Sequence, residues 1–224
     1  MNENKQLQWK RIILGTVIGF AVVYTTSKLV VNKKINHIET TLEEKVTEEQ
    51  KTAKKIAELV NRNGADETVE SLIKPCSSVD SIKYEELLSS LNENLPHNSL
   101  VELKRLFNNC GHKDVEKRYL TTFQLKLSID KLSYLNDVSL KTLNKESVKE
   151  MATWQSLLTK EQEINKNFTK LVEIQQEIIE ALLLGEKEDS KIVEGLRLRA
   201  GEVRNEMYST TKETSELQNQ LFKK

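Results

Sequence analysis

The hydrophobic positions of this chain follow a helical spacing almost everywhere, and one uninterrupted apolar run stands near the N-terminus. Residues 12–32 are 21 positions with a single charge, Lys28. As a helix they would extend roughly 31 Å, which is about the thickness of the hydrocarbon core of a bilayer. Trp9 and Tyr24 are placed where amphipathic rings meet the two membrane interfaces. The run therefore predicts a single transmembrane helix that follows a polar tail over 1–11.

The same segment also predicts that the anchor is not cleaved, how two anchors could pack, and how the chain is oriented. A cleaved signal sequence or a buried helix are the alternatives, but residues 22–28 contain no A-x-A-like cleavage site. Gly15 and Gly19 form one G-x-x-x-G, a spacing that lets two membrane helices approach closely. Basic residues are tied at three on each side, so the orientation depends on the short tail and on the cysteines of the larger domain. We expect a cytoplasmic N-terminus and an extracytoplasmic main domain, either periplasmic or extracellular.

After the membrane, residues 33–63 have no Gly or Pro and predict a stalk helix. Its apolar positions thin out around Val46, within a highly charged stretch. Three arrangements fit this pattern: a solvated continuation of the membrane helix, a parallel homodimeric coiled coil, and a helix packed back on the domain. Asn63-Gly64 supplies the C-terminal stop.

Residues 64–113 predict a compact cap of short helices, because both prolines and both cysteines fall here. Asp66, Asp80 and Ser99 are the expected N-caps of three short helices, and Cys110-Gly111 is the expected end of the last one.

Cys76 and Cys110 each follow the expected end of a short helix, and a disulfide between them is the preferred interpretation. Two alternatives stay open. The cysteines could be reduced thiols in a cytosolic domain, or they could join His97 and His112 in a metal site. The sequence lacks the paired C-x-x-C or H-x-x-x-H spacing that holds two ligands on one turn, so we expect no metal.

Residues 114–224 predict a bundle of three long helices. The first, about 115–143, has two apolar stripes and should therefore lie between neighbours. One stripe contains Leu120, Phe123, Leu127 and Tyr134, and the other contains Leu125, Ile129, Leu132 and Leu143. The second begins at the capping box Ser147–Glu150 and ends at Gly185, and the third is capped by Asp189 or Ser190 and runs toward Leu221.

The second and third helices carry apolar residues at 3-4 spacing over about four heptads. If the turn at 185–189 folds them back on each other, their seams pair as an antiparallel hairpin about 50 Å long. The predicted seam consists of Leu157, Ile164, Phe168, Leu171, Ile178, Leu182, Leu196, Val203, Met207, Leu217 and Leu221. Polar positions such as Glu161, Thr210 and Thr214 thin this seam and invite another helix or a partner chain to cover it.

Composition agrees with an all-α chain, since seven Gly and two Pro in 224 residues are too few for a protein rich in tight turns. After Asn32 there are 30 basic and 33 acidic residues, so the domain carries no basic surface for nucleic acid. No Walker-type loop, nucleophile elbow or H-E-x-x-H motif is present. We expect no enzyme activity and no cofactor.

A membrane anchor followed by an extracytoplasmic helical rod resembles the architecture of phage inner-membrane spanin subunits and of bacterial envelope assembly proteins. The resemblance covers no motif and assigns no residue. We expect a membrane-anchored helical scaffold or adaptor whose partners are the lipid bilayer and other membrane or envelope proteins, with homo-oligomers possible. The alternatives are a spanin-like lysis or membrane-remodelling effector and a ligand-sensing helical bundle.

Overall fold

A computed structural model of the chain is all α-helical. It describes residues 3–62, 64–73, 76–92, 95–138 and 145–223, and within these ranges it describes side chains for 27–62, 64–73, 76–91, 95–138 and 148–223. The predicted fold class is confirmed at this level: the described part is helical, with an antiparallel hairpin and a disulfide-bonded cap.

Seven α-helices make up most of the described chain. They are α1 Glu3–Asn61, α2 Glu67–Leu72, α3 Ser78–Ser89, α4 His97–Leu106, α5 His112–Val138, α6 Lys145–Leu183 and α7 Lys191–Phe222. A 3-10 turn at Ser90–Asn92 follows α3, and a π-helical turn at Phe107–Gly111 joins α4 to α5.

The helix starts in the cap agree only partly with the predicted N-caps. Asp66 accepts a hydrogen bond from the Val69 amide at 3.0 Å and caps α2, as expected. Ser77, not Asp80, caps α3, because its extended backbone lets its hydroxyl accept from the Asp80 amide at 3.1 Å. The prediction for Ser99 was also wrong: α4 begins at His97 after Pro96, whose fixed φ suits a helix start, and it has no side-chain cap.

The expected stop at Cys110-Gly111 does not exist. The helix continues from α4 through the π-helical turn into α5. A Cβ added to Gly111 would lie 2.8 Å from the Tyr84 hydroxyl oxygen. Gly111 therefore permits close packing of α3 against the turn. Its place in the sequence reflects this contact and does not mark a helix end.

The antiparallel pairing of α6 and α7 is the most extensive contact in the described structure and confirms the predicted hairpin. Gly185 has a φ of +94°, which only glycine adopts without strain, and the Glu186 amide donates to the Ala181 carbonyl at 3.1 Å. The Ser190 hydroxyl accepts from the Val193 amide and caps α7. The α6 helix has 39 residues, so the rod is about 58 Å long.

Two hydrophobic cores lie along this rod. The cap core joins α3, α4 and the π-helical turn to the ends of α6 and α7 that meet at Gly185. It contains Tyr84, Leu91, Leu100, Leu103, Leu106, Phe107, Cys110, Leu171, Val172, Ile174, Ile178, Ile179, Leu182, Val193, Leu196 and Ala200. The stalk core, at the other end, contains Ala53, Ile56, Ala57, Val60, Leu125, Ile129, Leu132, Trp154, Leu157, Leu158 and Leu221.

The predicted stalk helix divides into two parts. Ala53, Ile56, Ala57 and Val60 are buried against the bundle, which corresponds to the alternative of a helix packed back on the domain. Polar contacts add to this docking, since the Gln218 amide donates to the Ala57 carbonyl at 3.0 Å. In contrast, residues 27–38 are exposed on every side of α1.

Most of the predicted transmembrane helix at 12–32 lies in residues 12–26, and the side chains of these residues are outside the described part. Gly15 and Gly19 are among them. Among the residues that the structure describes fully, no helix has an apolar segment long enough to cross a bilayer.

Candidate functional site

The two apolar stripes of α5 differ in solvent exposure. Leu125, Ile129 and Leu132 are completely buried in the stalk core. On the other side, Phe123, Leu127 and Tyr134 are 55%, 52% and 66% exposed. The expectation that neighbours would cover both stripes was therefore wrong for this second face. Only one side of α5 packs on α1 and α6, and the bundle places no other described helix over the opposite side.

This exposed side, which we call the outer face, is the main apolar feature on the surface of α5. It consists of Tyr119, Phe123, Leu127, Tyr134 and Val138, and each of these side chains is at least 42% exposed. The first and last are 19 residues apart, so the outer face extends about 28 Å along the helix. Aromatic and aliphatic side chains at helical spacing on an exposed surface are typical of a site for another protein.

The charges on this face are predominantly acidic. Helical spacing places Glu116, Asp130 and Asp137 on the same side as the apolar residues. Asp130 pairs with Lys126. Glu116 and Asp137 have no ion-pair partner in the part of the chain that the structure describes. The outer face therefore combines apolar contact area with uncompensated negative charge.

The outer face rests on a rigid support. Lys131, at its edge, pairs with Glu49 of α1, and Glu49 is only 5% exposed. Gln50 donates to Glu150 of α6 at 3.0 Å. The first contact holds α5 beside α1 and the second holds α1 beside α6, so the exposed side chains project from a helix that is supported from behind.

A layer of buried polar side chains separates the two cores. The Arg118 guanidinium donates to Glu161 at 3.2 Å and to the Val60 carbonyl at 3.5 Å, which ties α5 to α6 and α1. The Asn165 amide donates to the Thr122 hydroxyl at 2.8 Å. Glu161 is 1% exposed, and burial raises its pKa to about 7, although Arg118 favours the ionised form. Of the polar seam positions predicted from sequence, Glu161 belongs to this network, whereas Thr210 and Thr214 donate to carbonyls of their own helix.

The disulfide prediction is confirmed. Cys76 and Cys110 are bonded, with their Cα atoms 5.2 Å apart. Both sulfurs are used in this bond, so neither cysteine is available as the thiolate ligand of the alternative metal site. The His112 ring packs edge-on against Phe107 at 5.5 Å between ring centres. The fully described residues contain no cluster of three or more metal-ligating side chains.

The predicted seam residues all lie inside the hairpin or at its edge. Leu157, Ile164, Leu171, Ile178, Leu182, Leu196 and Leu221 are buried, and Phe168, Val203, Met207 and Leu217 are partly buried. Sequence reasoning missed the difference in exposure between the two sides of α5. Part of the signal was present, because Tyr119 continues the stripe of Phe123 and Leu127 by one turn.

No protein-family model, curated protein or solved structure matches the chain.

Proposed function

We propose that this protein is a membrane-anchored helical adaptor that binds another protein through the outer face of α5. The observation that carries the proposal is the exposure of Tyr119, Phe123, Leu127, Tyr134 and Val138 along one side of a helix whose opposite side is fully buried. Exposed apolar area on such a helix is unfavourable in water. A partner that covers this area removes it from water and thereby lowers the free energy.

The occupant of this face is an amphipathic helix of the partner, with lysine or arginine beside its apolar residues. A straight ridge about 28 Å long matches a helix of about 19 residues. Glu116 and Asp137 provide negative charge near the two ends of the ridge. Basic residues on the partner would complement them, and they would disfavour acidic helices at the same position.

The proposed setting is the cell envelope. Residues 12–32 anchor the chain in a bilayer with the N-terminus in the cytoplasm, and the helical domain lies on the other side. The disulfide supports this setting, because such bonds persist in oxidising compartments. Protease added outside spheroplasts should digest the domain, whereas complete protection beside a digested control contradicts the orientation. Release by alkaline carbonate would contradict the anchor.

Site-specific photocrosslinking in cells tests the interaction. A photoreactive residue at position 123, 127 or 134 should crosslink to one partner, and the crosslinked peptide should come from a basic amphipathic helix. Position 208 is the matched control, because Tyr208 is 78% exposed on α7 and lies outside the outer face.

Two variants sharpen this experiment. Phe123→Asp should abolish the crosslink at position 134 without changing the melting temperature, because the side chain makes no core contact. Glu116→Lys should weaken it through charge repulsion. A crosslinked product of twice 25.8 kDa that contains only this chain would replace the partner by a second copy and overturn the adaptor proposal. Equal crosslinking at 134 and 208 would also overturn it.

A further inference from the structure

The polar layer between the two cores contains two buried acceptors that have no donor. Glu161 is 1% exposed and Asn165 is 3% exposed, and they lie one turn apart on the same side of α6. Glu161 Oε1 and Asn165 Oδ1 are both buried without a hydrogen-bond partner in the described part of the chain. Buried acceptors are almost always paired, because an unpaired one raises the free energy of the folded state. The layer therefore lacks a donor at this position.

A proton on Glu161 supplies this donor. A carboxylate can only accept hydrogen bonds, whereas a protonated carboxyl group has one O–H donor. A proton on Glu161 Oε1 turns one unpaired acceptor into a donor, and Asn165 Oδ1 is an acceptor one turn along the helix. Burial favours the same state, since it raises the pKa of Glu161 to about 7 against the opposing effect of Arg118.

The elements packed around Glu161 bring one charged side chain to bear on it. This side chain is Arg118 of α5, which donates to Glu161 Oε2 at 3.2 Å. The groups that α1 and α7 contribute to the layer are uncharged, namely the carbonyls of Ala57 and Val60 and the side chain of Gln218.

The next charged residues point to solvent. Lys160 of α6 and Glu213 of α7 pair with each other at 2.7 Å, and both are at least one-third exposed. Glu58 and Arg62 of α1 are exposed as well. The protonation of Glu161 is therefore set inside the layer by burial and by Arg118.

The same layer holds α1 on the bundle. Arg118 donates to the Val60 carbonyl at 3.5 Å, which places α1 on the guanidinium that contacts Glu161. The Asn61 amide donates to Gln218 at 3.0 Å, and Gln218 donates to the Ala57 carbonyl at the same distance. Since the one disulfide of the described chain lies in the cap, α1 is held by these bonds and by the stalk core alone.

We propose that Glu161 is a proton switch that controls the docking of α1. With the proton in place, the carboxyl group donates to Asn165 and the layer stays dry. When the proton leaves, the carboxylate draws water into the layer, and residues 46–61 of α1 separate from α5, α6 and α7 while the cap stays folded. The inference goes beyond the proposed function and uses no residue of the outer face.

The direction of the switch follows from linkage. In the released form Glu161 is hydrated and has its ordinary pKa of 4.5, whereas in the docked form the pKa is about 7. Between these values the docked form holds a proton that the released form has lost. Docking is therefore strongest at low pH, weakens as pH rises from about 5, and reaches its weakest value slightly above pH 7.

Carboxyl ¹³C NMR of the full-length protein in nanodiscs tests the proton site. The resonance of Glu161, identified by its absence in Glu161→Gln, should titrate with a midpoint near pH 7. A midpoint near the ordinary 4.5 would overturn the proposal, because the docked layer would then contain a carboxylate at every pH at which the switch is expected to act.

Hydrogen exchange tests the release of α1. Between pH 5 and pH 8, after correction for the intrinsic rate, protection of the Ala53 and Ala57 amides should fall by roughly two orders of magnitude. Leu103 in the cap core should keep its protection. An equal loss at Leu103 would indicate general unfolding and overturn a local switch. Constant protection at Ala53 and Ala57 would overturn it as well.

Two variants identify the titrating group. Glu161→Gln is neutral at every pH and has an amide donor, so α1 should stay protected at both pH 5 and pH 8. Glu173→Gln is the matched control, because it removes one carboxylate from an exposed position of the same helix and should behave like the unaltered protein. A pH dependence that persists in Glu161→Gln, or that disappears equally in both variants, would overturn the switch. Crosslinking through the outer face involves other residues, so either proposal can fail alone.

Discussion

The cap core and the stalk core share the α6–α7 hairpin, but different parts of the chain close them. At the cap end, α3, α4 and the π-helical turn, which follow one another in the sequence, pack over the hairpin. A disulfide across a sequence separation of 34 links these cap segments to each other. At the stalk end, the closing element is α1, which lies about 100 residues before its partner Trp154 and has no covalent link to it. The comparison shows two ways of covering one thin hairpin: a cap that a disulfide crosslinks internally, and a single helix held by burial and polar contacts without any covalent link.

The polar layer at Arg118 and Glu161 lies between these cores and limits how far one can support the other. Apolar contacts stop on both sides of it. We therefore expect damage to the stalk core to release α1 while the cap stays folded. The following changes test this difference, from the largest expected effect to the smallest.

Trp154→Ala should have the largest effect. Trp154 is completely buried in the stalk core, and truncating a buried aromatic side chain to Ala costs about 3–5 kcal/mol. Hydrogen exchange should become faster at Ala53 and Ala57 on α1, and Leu103 in the cap should keep its protection. Trp154→Phe is the control, since it keeps a ring and removes an indole N–H that has no acceptor in the described part. Equal loss of protection at both ends would contradict the separation of the cores.

Loss of the disulfide should destabilise the cap end specifically. In the chain-entropy model, a crosslink over this separation contributes about 4 kcal/mol. Cys76→Ser and Cys110→Ser should each lower the melting temperature, and the double variant should be no worse because both remove one bond. Mass spectrometry of alkylated, unreduced protein provides the check on the bond itself. Two freely labelled thiols in native membranes would contradict it.

The polar layer should make stability depend on pH through Glu161. Its pKa is about 7 in the folded protein, against an ordinary value of 4.5 for a solvated glutamate. Between these values the folded protein holds a proton that the unfolded chain has released, so the free energy of unfolding falls as pH rises. The loss is about 3 kcal/mol and is complete above pH 7. Urea unfolding from pH 4 to 8 should show it, and Glu161→Gln should remove it. Parallel curves for the two proteins would contradict the shift.

Gly111→Ala should have the smallest effect of the four. The new methyl group would lie 2.8 Å from the Tyr84 hydroxyl oxygen, so the cap must shift at a cost of about 1–3 kcal/mol. Gly195→Ala is a matched control in a helix: nothing lies within 4 Å of its added Cβ, and the substitution should stabilise by roughly 1 kcal/mol. Thermal unfolding measures both. The same sign for the two changes would show that helix propensity outweighs the contact.

Much of the architecture was predictable because it depends on local patterns. The helical spacing of Leu157 through Leu221 predicted the α6–α7 hairpin, Gly185 marked its turn, and two cysteines at the expected ends of short helices predicted their bond. The predictions for Asp80, Ser99 and Cys110-Gly111 were wrong because several residues nearby can cap or stop a helix. Backbone geometry at Ser77 and the packing of Tyr84 selected among them.

The sequence by itself determined that the chain is helical and where its long helices pair, because the 3.6-residue period specifies which residues share a side of a helix. It did not determine which apolar side of α5 is buried, since Leu125 and Phe123 belong to stripes of similar hydrophobicity. Only the tertiary structure decided this, when α1 returned to cover Leu125, Ile129 and Leu132. It also brought Arg118, Glu161 and Asn165 into one polar layer. Such contacts join residues far apart in the chain, and no local spacing encodes them.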